Sequence, residues 1–182
     1  MKPVELRSKV QEEMNDWFGT LDLVHPAELI GLWRGNGYPS DHPLDGVLEN
    51  LRWFGKCFHP DKRADALLFE RNPGKLVAVD PAFFPINWAL RFAGIGRTKP
   101  ASNLFIHILP RLRARGTTAA LEERLDAGVM TAAMVYDKQP IVDYFRRTAN
   151  GAIIGKMVVE GDPDRYFFGL QRVGDERAEI GT

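Results

Sequence analysis

The apolar positions of this chain follow one spacing at its start and another spacing over most of the rest. Residues 6 to 17 carry apolar side chains every three or four positions with charges between them, which predicts an amphipathic helix. Gly19 follows and would end that helix. The helix positions are Leu6, Val10, Met14 and Trp17. From Gly31 onward much of the chain alternates with a period of two, as half-buried strands do.

The strand segments come in pairs joined by turn sequences. Asn72-Pro73-Gly74, Asp126-Ala127-Gly128 and Asn150-Gly151 separate consecutive alternating segments, and each has the chemistry of a tight turn. The pairs are 66–70 with 75–79, 118–125 with 129–136 and 141–147 with 152–160, followed by a strand at 165–173. About nine short strands arranged in hairpins indicate an antiparallel barrel or sandwich.

The strand at residues 53–58 has a strict two-residue alternation. Simple parity places Trp53, Gly55 and Cys57 on one face, and Phe54, Lys56 and Phe58 on the other. The sequence leaves open which face points into the barrel.

One segment interrupts the strands. Asp80 and Pro81 suit the start of a helix, whereas Pro85 would disturb one long helix, so we expect short helical turns. We therefore predict a mainly β protein: one domain over residues 1–182, with a single antiparallel barrel, an N-terminal helix and a helical insertion. Its parts are strand-rich halves at 28–80 and 116–173, the insertion at 81–115 and a flexible tail at 174–182.

A tryptophan lies between two glycines in Gly31-x-Trp33-x-Gly35. Glycines on the same strand face free the space beside the indole and let the strand bend, as a closing barrel requires. Arg172, in the last strand, shares a face with apolar residues and needs a partner there. We therefore predict that Arg172 stacks on Trp33 within cation–π reach and closes one end of the barrel.

This pairing of a first-strand G-x-W with a last-strand arginine resembles the closure of the calycins, the lipocalin and fatty-acid-binding barrels. A longer resemblance covers most of residues 28–173. Its first block comprises Gly31-x-Trp33-x-Gly35, residues 42–46 (HPLDG) and residues 53–56 (WFGK), and its second block is residues 134–146. These blocks are similar to the bacterial GXWXG family and its C-terminal domain of unknown function. The resemblance implies a calycin-like barrel shared by both segments, since neither half has enough strands to close alone.

The charge balance restricts the function classes. Lys plus Arg and Asp plus Glu are both 24, so we expect no nucleic-acid partner. The sequence contains no run of about 18 apolar residues, so we expect no transmembrane helix. The charged N-terminus does not resemble a signal peptide. We therefore expect a cytoplasmic protein. Cys57 is the only cysteine, which excludes an internal disulfide.

Polar residues within apolar strands are the candidate ligand contacts. We expect at least one of Lys56, Tyr136 and Asp143 to line an internal cavity, because burying such groups without a partner is unfavourable. If Lys56 faces inward, it could pair with the carboxylate of a ligand. The function we favour is binding or carriage of a hydrophobic or amphipathic small molecule, such as a lipid or fatty acid. The candidate ligand-binding residues are Trp53, Lys56, Tyr136, Asp143, Phe168 and His42.

Two alternatives stay open beside a binding protein. One is an enzyme that works in the barrel cavity with His42, Asp137 and Asp143 as acid–base groups. The other is a ligand-free accessory protein that forms a homodimer. We favour a protein that is not an enzyme, and we expect no cofactor. We also expect no metal site, because Cys57-x-His59 supplies two metal ligands and the sequence shows no third.

The insertion carries more apolar surface than a loop needs. Phe83, Phe84 and Trp88 stand near Arg91, Arg97 and Lys99. We expect the segment 82–96 to cover one open end of the barrel and to be more mobile than the strands. Contact of its aromatic residues with a membrane surface is a further expectation, with the cations facing anionic headgroups.

Overall fold

The computed structural model describes residues 3–174 and 179–180. As the sequence predicts, an N-terminal helix comes first, and a helical segment separates two strand-rich halves. The helices are α1 (Pro3–Gly19), α2 (Pro26–Leu29), α3 (Val47–Asn50), α4 (Ile86–Arg91), α5 (Ala93–Gly96) and α6 (Lys99–Ile108). Two short 3-10 helices span Pro81–Phe83 and Leu109–Leu112. The strands are β1 (Asp22–Leu23), β2 (Gly31–Tyr38), β3 (Trp53–Phe58), β4 (Arg63–Asn72), β5 (Lys75–Ala78), β6 (Ala119–Asp126), β7 (Val129–Tyr136), β8 (Ile141–Arg147), β9 (Ile153–Val159), β10 (Arg165–Arg172) and β11 (Glu179–Ile180).

Eight of these strands form a closed antiparallel barrel. Their order around the barrel is β4-β3-β2-β10-β9-β8-β7-β6, and β6 returns to pair with β4. The closing register aligns Arg63 with Ala120 and Ala64 with Ala119. The first long strand, β2, pairs with β10, so the two strand-rich halves share one barrel. The predicted mainly β fold is confirmed, and the closed barrel is consistent with a calycin-like architecture.

Strand β3 departs from simple alternation, and the predicted faces are wrong there. Its pairing with β4 shifts register on both sides of Gly55. Gly55 has a φ of +147°, a conformation that L side chains rarely adopt, and an added Cβ would collide with the Trp33 carbonyl oxygen. The resulting bulge turns Trp53 inward together with Lys56 and Phe58. Phe54 and Cys57 lie on the outer face instead.

Helix α1 packs against the outer surface of the barrel, as the N-terminal amphipathic pattern predicts. Phe18 is fully buried against Ile154 of β9 and Phe167 of β10. The Gln11 side-chain amide donates to the Ser40 carbonyl oxygen and also accepts a hydrogen bond from the Arg165 backbone N–H. Polar and apolar contacts together therefore fix the helix to the barrel wall.

The central helical segment consists of short turns, as the two prolines predict. The Asp80 carboxylate accepts a hydrogen bond from the Ala82 backbone N–H and caps the first 3-10 turn. Pro85 lies immediately before α4 and separates that helix from the turn. In the described part of the chain, no helix is long and apolar enough to cross a bilayer.

Residues 179–180 lie beside the outer face of the barrel. Ile180 packs at the edge of the outer cluster around Phe54 and Cys57, and β11 pairs in parallel with β5. The tail predicted at 174–182 therefore includes a two-residue strand. Residues 175–178 and 181–182, on which that expectation also falls, lie outside the described residues.

Candidate ligand-binding cavity

Arg172 and Trp33 make the contact predicted from the sequence. The two residues are paired across β10 and β2, and the guanidinium carbon lies 4.6 Å from the centroid of the indole. The guanidinium donates to the carbonyl oxygens of Glu28 and Ile30, each at 2.7 Å. Trp33 Nε1 donates to the Leu29 carbonyl oxygen at 2.6 Å. One arginine and one tryptophan thus fix α2 and its C-terminal end to the barrel strands.

The two glycines of the motif make space for different side chains. An added Cβ at Gly31 would lie 2.7 Å from the Arg172 guanidinium, and Gly31 has a φ of +128°. An added Cβ at Gly35 would overlap the indole of Trp53 rather than that of Trp33. The first glycine therefore serves the closing contact. The second makes space for the cavity-lining Trp53, whereas the sequence pattern predicts that both glycines make space for Trp33.

The barrel interior holds a cavity of about 410 Å³. Its wall combines inward side chains of the strands with the central helical segment, including Phe84, Trp88 and Phe105. Five of the six predicted ligand contacts line it: Trp53, Lys56, Tyr136, Asp143 and Phe168. Lys56, Tyr136 and Asp143, at least one of which is expected to line a cavity and contact a ligand's polar end, all line this cavity. Their contact with a ligand stays a prediction.

Lys56, Tyr136 and Asp143 form a buried polar cluster in an otherwise mainly apolar wall. The Lys56 ammonium lies 2.8 Å from Asp143 Oδ2, and the two side chains are 2% and 1% exposed. Lys56 also donates to the Ala66 carbonyl oxygen at 3.0 Å. The Tyr136 hydroxyl lies 3.4 Å from Lys56 Nζ and donates to Asp143 Oδ2 over the same distance. Burial and the adjacent carboxylate raise the pKa of Tyr136, so its hydroxyl stays a hydrogen-bond donor.

Aromatic rings also lie near the Lys56 ammonium. Lys56 Nζ lies 5.0 Å from the centroid of the Phe168 ring and 5.7 Å from that of Trp53. Trp53 and Phe168 meet edge to face at 5.7 Å. These contacts stabilise the cation by cation–π attraction.

Three polar atoms of cavity-lining residues lack a hydrogen-bond partner among the residues that the structure describes, namely Asp143 Oδ1, Trp53 Nε1 and the Tyr166 hydroxyl. All three atoms are buried. An unsatisfied buried donor or acceptor costs about 1–3 kcal/mol. A ligand with one donor and one acceptor could satisfy Asp143 Oδ1 and Trp53 Nε1.

His42, the sixth predicted contact, is not among the residues that line this cavity. It is buried in the loop between β2 and α3, with its ring 5.6 Å from that of Tyr166. Its Nδ1 accepts a hydrogen bond from the Leu44 backbone N–H. Burial lowers the pKa of His42 to about 4, so the imidazole is neutral at pH 7 and orders the loop.

The three acid–base groups of the enzyme alternative lie in different places. Asp143 belongs to the buried polar cluster, and His42 belongs to the loop. Asp137 forms an ion pair with Arg63 on the outside of the barrel, where it lines a separate surface pocket. The structure therefore does not bring this trio together.

Several lining residues escape the sequence-based prediction. Tyr166 shares a face of β10 with Phe168, so strand parity could have found it. Met157 lies opposite Asp143 in the β8–β9 pairing. Its position in the cavity wall can be predicted only when the register of β8 and β9 is known. The residues contributed by the helical segment carry no periodic signal that would point them into a cavity.

The helical segment covers one side of the cavity and also presents apolar side chains to solvent. The exposed aromatic residues are Trp88 at 69%, Phe83 at 53%, Phe92 at 49% and Phe84 at 39%. Ile95 and Leu104 are similarly exposed, and all six also line the cavity. We call these six residues the mouth patch. A patch of this kind on a monomer marks a site of interaction or ligand entry.

A second group of polar side chains lies on the outer face of β3 and β4. Cys57, His59 and Asp65 place one ligand atom each within 4.8 Å of one another. Asp65 is a third side chain with a metal-binding atom, and the sequence did not reveal it because Asp65 lies opposite Cys57 only through the bulged register. Burial and the Asp65 carboxylate raise the pKa of the Cys57 thiol to about 11.

The comparisons with known proteins agree with the two-part motif. Residues 16–74 match the family model described as GXWXG protein, and residues 117–172 match a domain of unknown function, DUF4334. A solved structure described as the crystal structure of a protein from Thermomonospora curvata is similar, with 26% identity and a TM-score of 0.64. The similarity covers 90% of this chain and 88% of that one. No curated protein matches the chain.

Proposed function

For this chain, which belongs to the GXWXG family, we propose that the barrel binds or carries a hydrophobic or amphipathic small molecule, such as a lipid. The observation that supports the proposal is a largely apolar cavity with one buried polar cluster. Its volume of about 410 Å³ suits a small ligand, and such sites combine apolar walls with a few polar groups that fix orientation. The apolar body would lie against the aromatic wall, with the polar end at Lys56, Tyr136 and Asp143.

The charge of the polar cluster favours a neutral polar end. Asp143 already balances Lys56 at 2.8 Å, so a carboxylate placed there would leave one negative charge buried without a partner. A hydroxyl can instead donate to Asp143 Oδ1 or accept from Trp53 Nε1, two of the unpartnered atoms of the cavity wall. We therefore expect a long-chain alcohol to fit better than the corresponding fatty acid.

Calorimetric titration with 1-decanol and with decanoate at pH 7 tests this proposal. We expect decanol to bind at least about tenfold more tightly, a difference of about 1.4 kcal/mol. Tyr136→Phe keeps the shape of the cavity but removes a hydroxyl of the polar cluster, and we expect it to weaken decanol binding. If neither decanol nor decanoate binds, the proposal is contradicted. If decanoate binds more tightly than decanol, only the expectation of a neutral polar end is contradicted.

A matched pair of substitutions examines the role of Asp143. Asp143→Asn leaves the Lys56 ammonium without its counter-ion, so decanoate should gain over decanol. Asp137→Asn removes a carboxylate of the same kind from the surface pair with Arg63 and should leave the preference unchanged. Circular dichroism at the titration temperature establishes that each variant is folded. An unchanged preference in folded Asp143→Asn would remove this residue from the site.

We also propose that the mouth patch contacts an anionic lipid surface, from which the ligand would enter. The observation in favour is a charge asymmetry in a protein whose formal net charge is zero. Residues 81–115 contain no Asp or Glu, and their cations are Arg91, Arg97, Lys99, Arg111, Arg113 and Arg115. Exposed aromatic rings beside cations are the composition with which proteins bind the interface of anionic bilayers.

Co-sedimentation with vesicles tests the membrane contact separately from ligand binding. We expect the protein to bind vesicles that contain phosphatidylserine at low salt and to be released at high salt. Phe84→Ala/Trp88→Ala should reduce this binding. The control Leu125→Ala changes an apolar residue, 62% exposed, that does not line the cavity. Equal sedimentation of the double variant and the wild type would contradict the assignment of this surface.

A further inference from the structure

Three different metal-binding side chains converge on the outer face of the barrel. Cys57 of β3 and Asp65 of β4 are paired directly across the two strands, and His59 follows two residues after Cys57. Their ligand atoms lie within 4.8 Å of one another, and His59 Nε2 lies 2.8 Å from Asp65 Oδ2. This group lies on the opposite side of β3 from Lys56 and is separate from the cavity.

Backbone geometry holds these side chains together. The bulge at Gly55 turns Cys57 outward, and without it strand parity would place that thiol on the side of Trp53. Beyond Phe58, the His59 backbone N–H donates to the Arg63 carbonyl oxygen and closes a tight turn. The turn brings β4, and with it Asp65, back alongside β3. The three ligands are thus positioned by the strand pair itself.

The donor set matches a borderline divalent metal ion in type and in charge. We propose that Cys57, His59 and Asp65 form a binding site for Zn²⁺ or a similar transition-metal ion. Sulfur, imidazole nitrogen and carboxylate oxygen are the ligands that Zn²⁺ takes in proteins, and three protein ligands leave a fourth position for solvent. On binding, the thiol releases its proton to water and a sulfur–metal bond forms. One thiolate, one carboxylate and a neutral imidazole then balance the two positive charges.

The site is open to solvent at His59, whereas Cys57 is packed among apolar side chains. His59 is 35% exposed at the side chain, which gives an ion a path from solvent, whereas the Asp65 side chain is 10% exposed. Cys57 packs among the apolar residues of the outer cluster with Phe54 and Leu68. Apolar packing around a thiolate ligand limits its access to oxidants and competing water. In tetrahedral Zn²⁺ sites the ligand atoms lie about 3–4 Å apart, so small side-chain rotations suffice to close this group around an ion.

Titration of the chelator-treated, reduced protein with Co²⁺ tests the site. Co²⁺ replaces Zn²⁺ in tetrahedral sites and absorbs in the near ultraviolet when a thiolate binds it. We expect one Co²⁺ per chain with that absorption, and its loss when Zn²⁺ is added. A wild-type protein that shows no cobalt–thiolate absorption would overturn the proposal.

Substitutions then identify the ligands. We expect Cys57→Ser to remove the near-ultraviolet absorption, and His59→Gln and Asp65→Asn each to weaken Co²⁺ binding by at least about tenfold. His25→Gln is the control, because His25 also pairs with a carboxylate, at 2.9 Å from Glu123, but has no cysteine beside it. Unchanged binding in both His59→Gln and Asp65→Asn would also overturn the site.

Thermal unfolding gives a second readout that does not depend on spectroscopy. Zn²⁺ should raise the Tm of the wild type, because an ion that binds the folded state stabilises it. The rise should be smaller in His59→Gln at the same Zn²⁺ concentration, and the partly exposed side chain of His59 can change without disturbing the core. An equal rise in wild type and His59→Gln would contradict the proposed ligand set.

Discussion

Lys56 and Asp143 form an ion pair that crosses the interior of the barrel. Their strands, β3 and β8, lie opposite each other, four steps apart in either direction around the eight-stranded ring. The pair therefore joins two walls that share no backbone hydrogen bonds. Because both side chains are almost fully buried, each charge depends on the other for its stability.

A double-mutant cycle measures this dependence. Lys56→Met leaves the Asp143 carboxylate buried and unpaired, and we expect it to lower the free energy of unfolding by about 3–5 kcal/mol. Lys56→Met/Asp143→Leu removes both charges at similar volume, and it should be much closer to the wild type than the sum of the losses in Lys56→Met and Asp143→Leu implies. Urea denaturation gives these values. Strictly additive losses would show that the two charges do not interact.

The closing contact at Trp33 should contribute to stability rather than to affinity. Trp33 is 6% exposed, so Trp33→Ala should cost about 3–5 kcal/mol. Trp88→Ala removes the same side chain where it is 69% exposed, and we expect a change near 0.5 kcal/mol. Chemical denaturation compares the two variants. Similar losses would be inconsistent with a structural role for Trp33, as would a Trp33→Ala variant that is stable but no longer binds decanol.

Gly35 tests how the motif shapes the cavity. Gly35→Ala places a methyl group against the Trp53 indole and must displace it, which we expect to cost about 1–3 kcal/mol and to weaken decanol binding. Gly116→Ala is the control, since an added Cβ there meets nothing within 4 Å. Calorimetry and denaturation report the two effects. Normal affinity in Gly35→Ala would mean that the position of Trp53 does not matter for the ligand.

Acid should destabilise the fold through His42. The ordinary pKa of 6.5 falls to about 4 in the folded protein because burial disfavours the imidazolium. Between these values the unfolded chain binds a proton that the folded protein does not. The free energy of unfolding should therefore fall as the pH falls through this window, by up to about 3 kcal/mol.

Carboxylates titrate in the same pH range as His42. Comparing His42→Gln with His107→Gln separates the contribution of His42 to the unfolding free energy from theirs. His42→Gln should flatten the dependence of the unfolding free energy on pH between 6.5 and 4. His107→Gln, at an exposed position in α6, should leave it as in the wild type. Equal slopes in all three proteins would show that His42 is not the group responsible.

The sequence predicts the barrel well because local chemistry determines most of it. Turn residues such as Asn150 and Gly151 define where hairpins reverse, and alternation defines where strands run. The contact of Arg172 with Trp33 follows because an arginine on an apolar face needs a partner. The turns and strands depend on residues close together in sequence. The contact of Arg172 with Trp33 depends on one physical requirement, a partner for a charged side chain among apolar ones.

The arrangement of the polar groups depends on features that the sequence does not reveal. A bulge at Gly55 places Trp53 and Cys57 on opposite faces of β3, whereas alternation alone predicts the same face for both. The pairing of Lys56 with Asp143 requires the order of all eight strands. Asp65 comes beside Cys57 through the same bulged register. The sequence therefore points to five residues that line the cavity and leaves their partners unknown.

A crystal structure of the protein grown with 1-decanol is the most direct test of the proposed function. We expect the alkyl chain in the barrel cavity, with its hydroxyl within about 3.2 Å of Asp143 Oδ1 and the chain directed towards the mouth patch. A cavity that holds only ordered water, or no density, at saturating decanol would contradict the account.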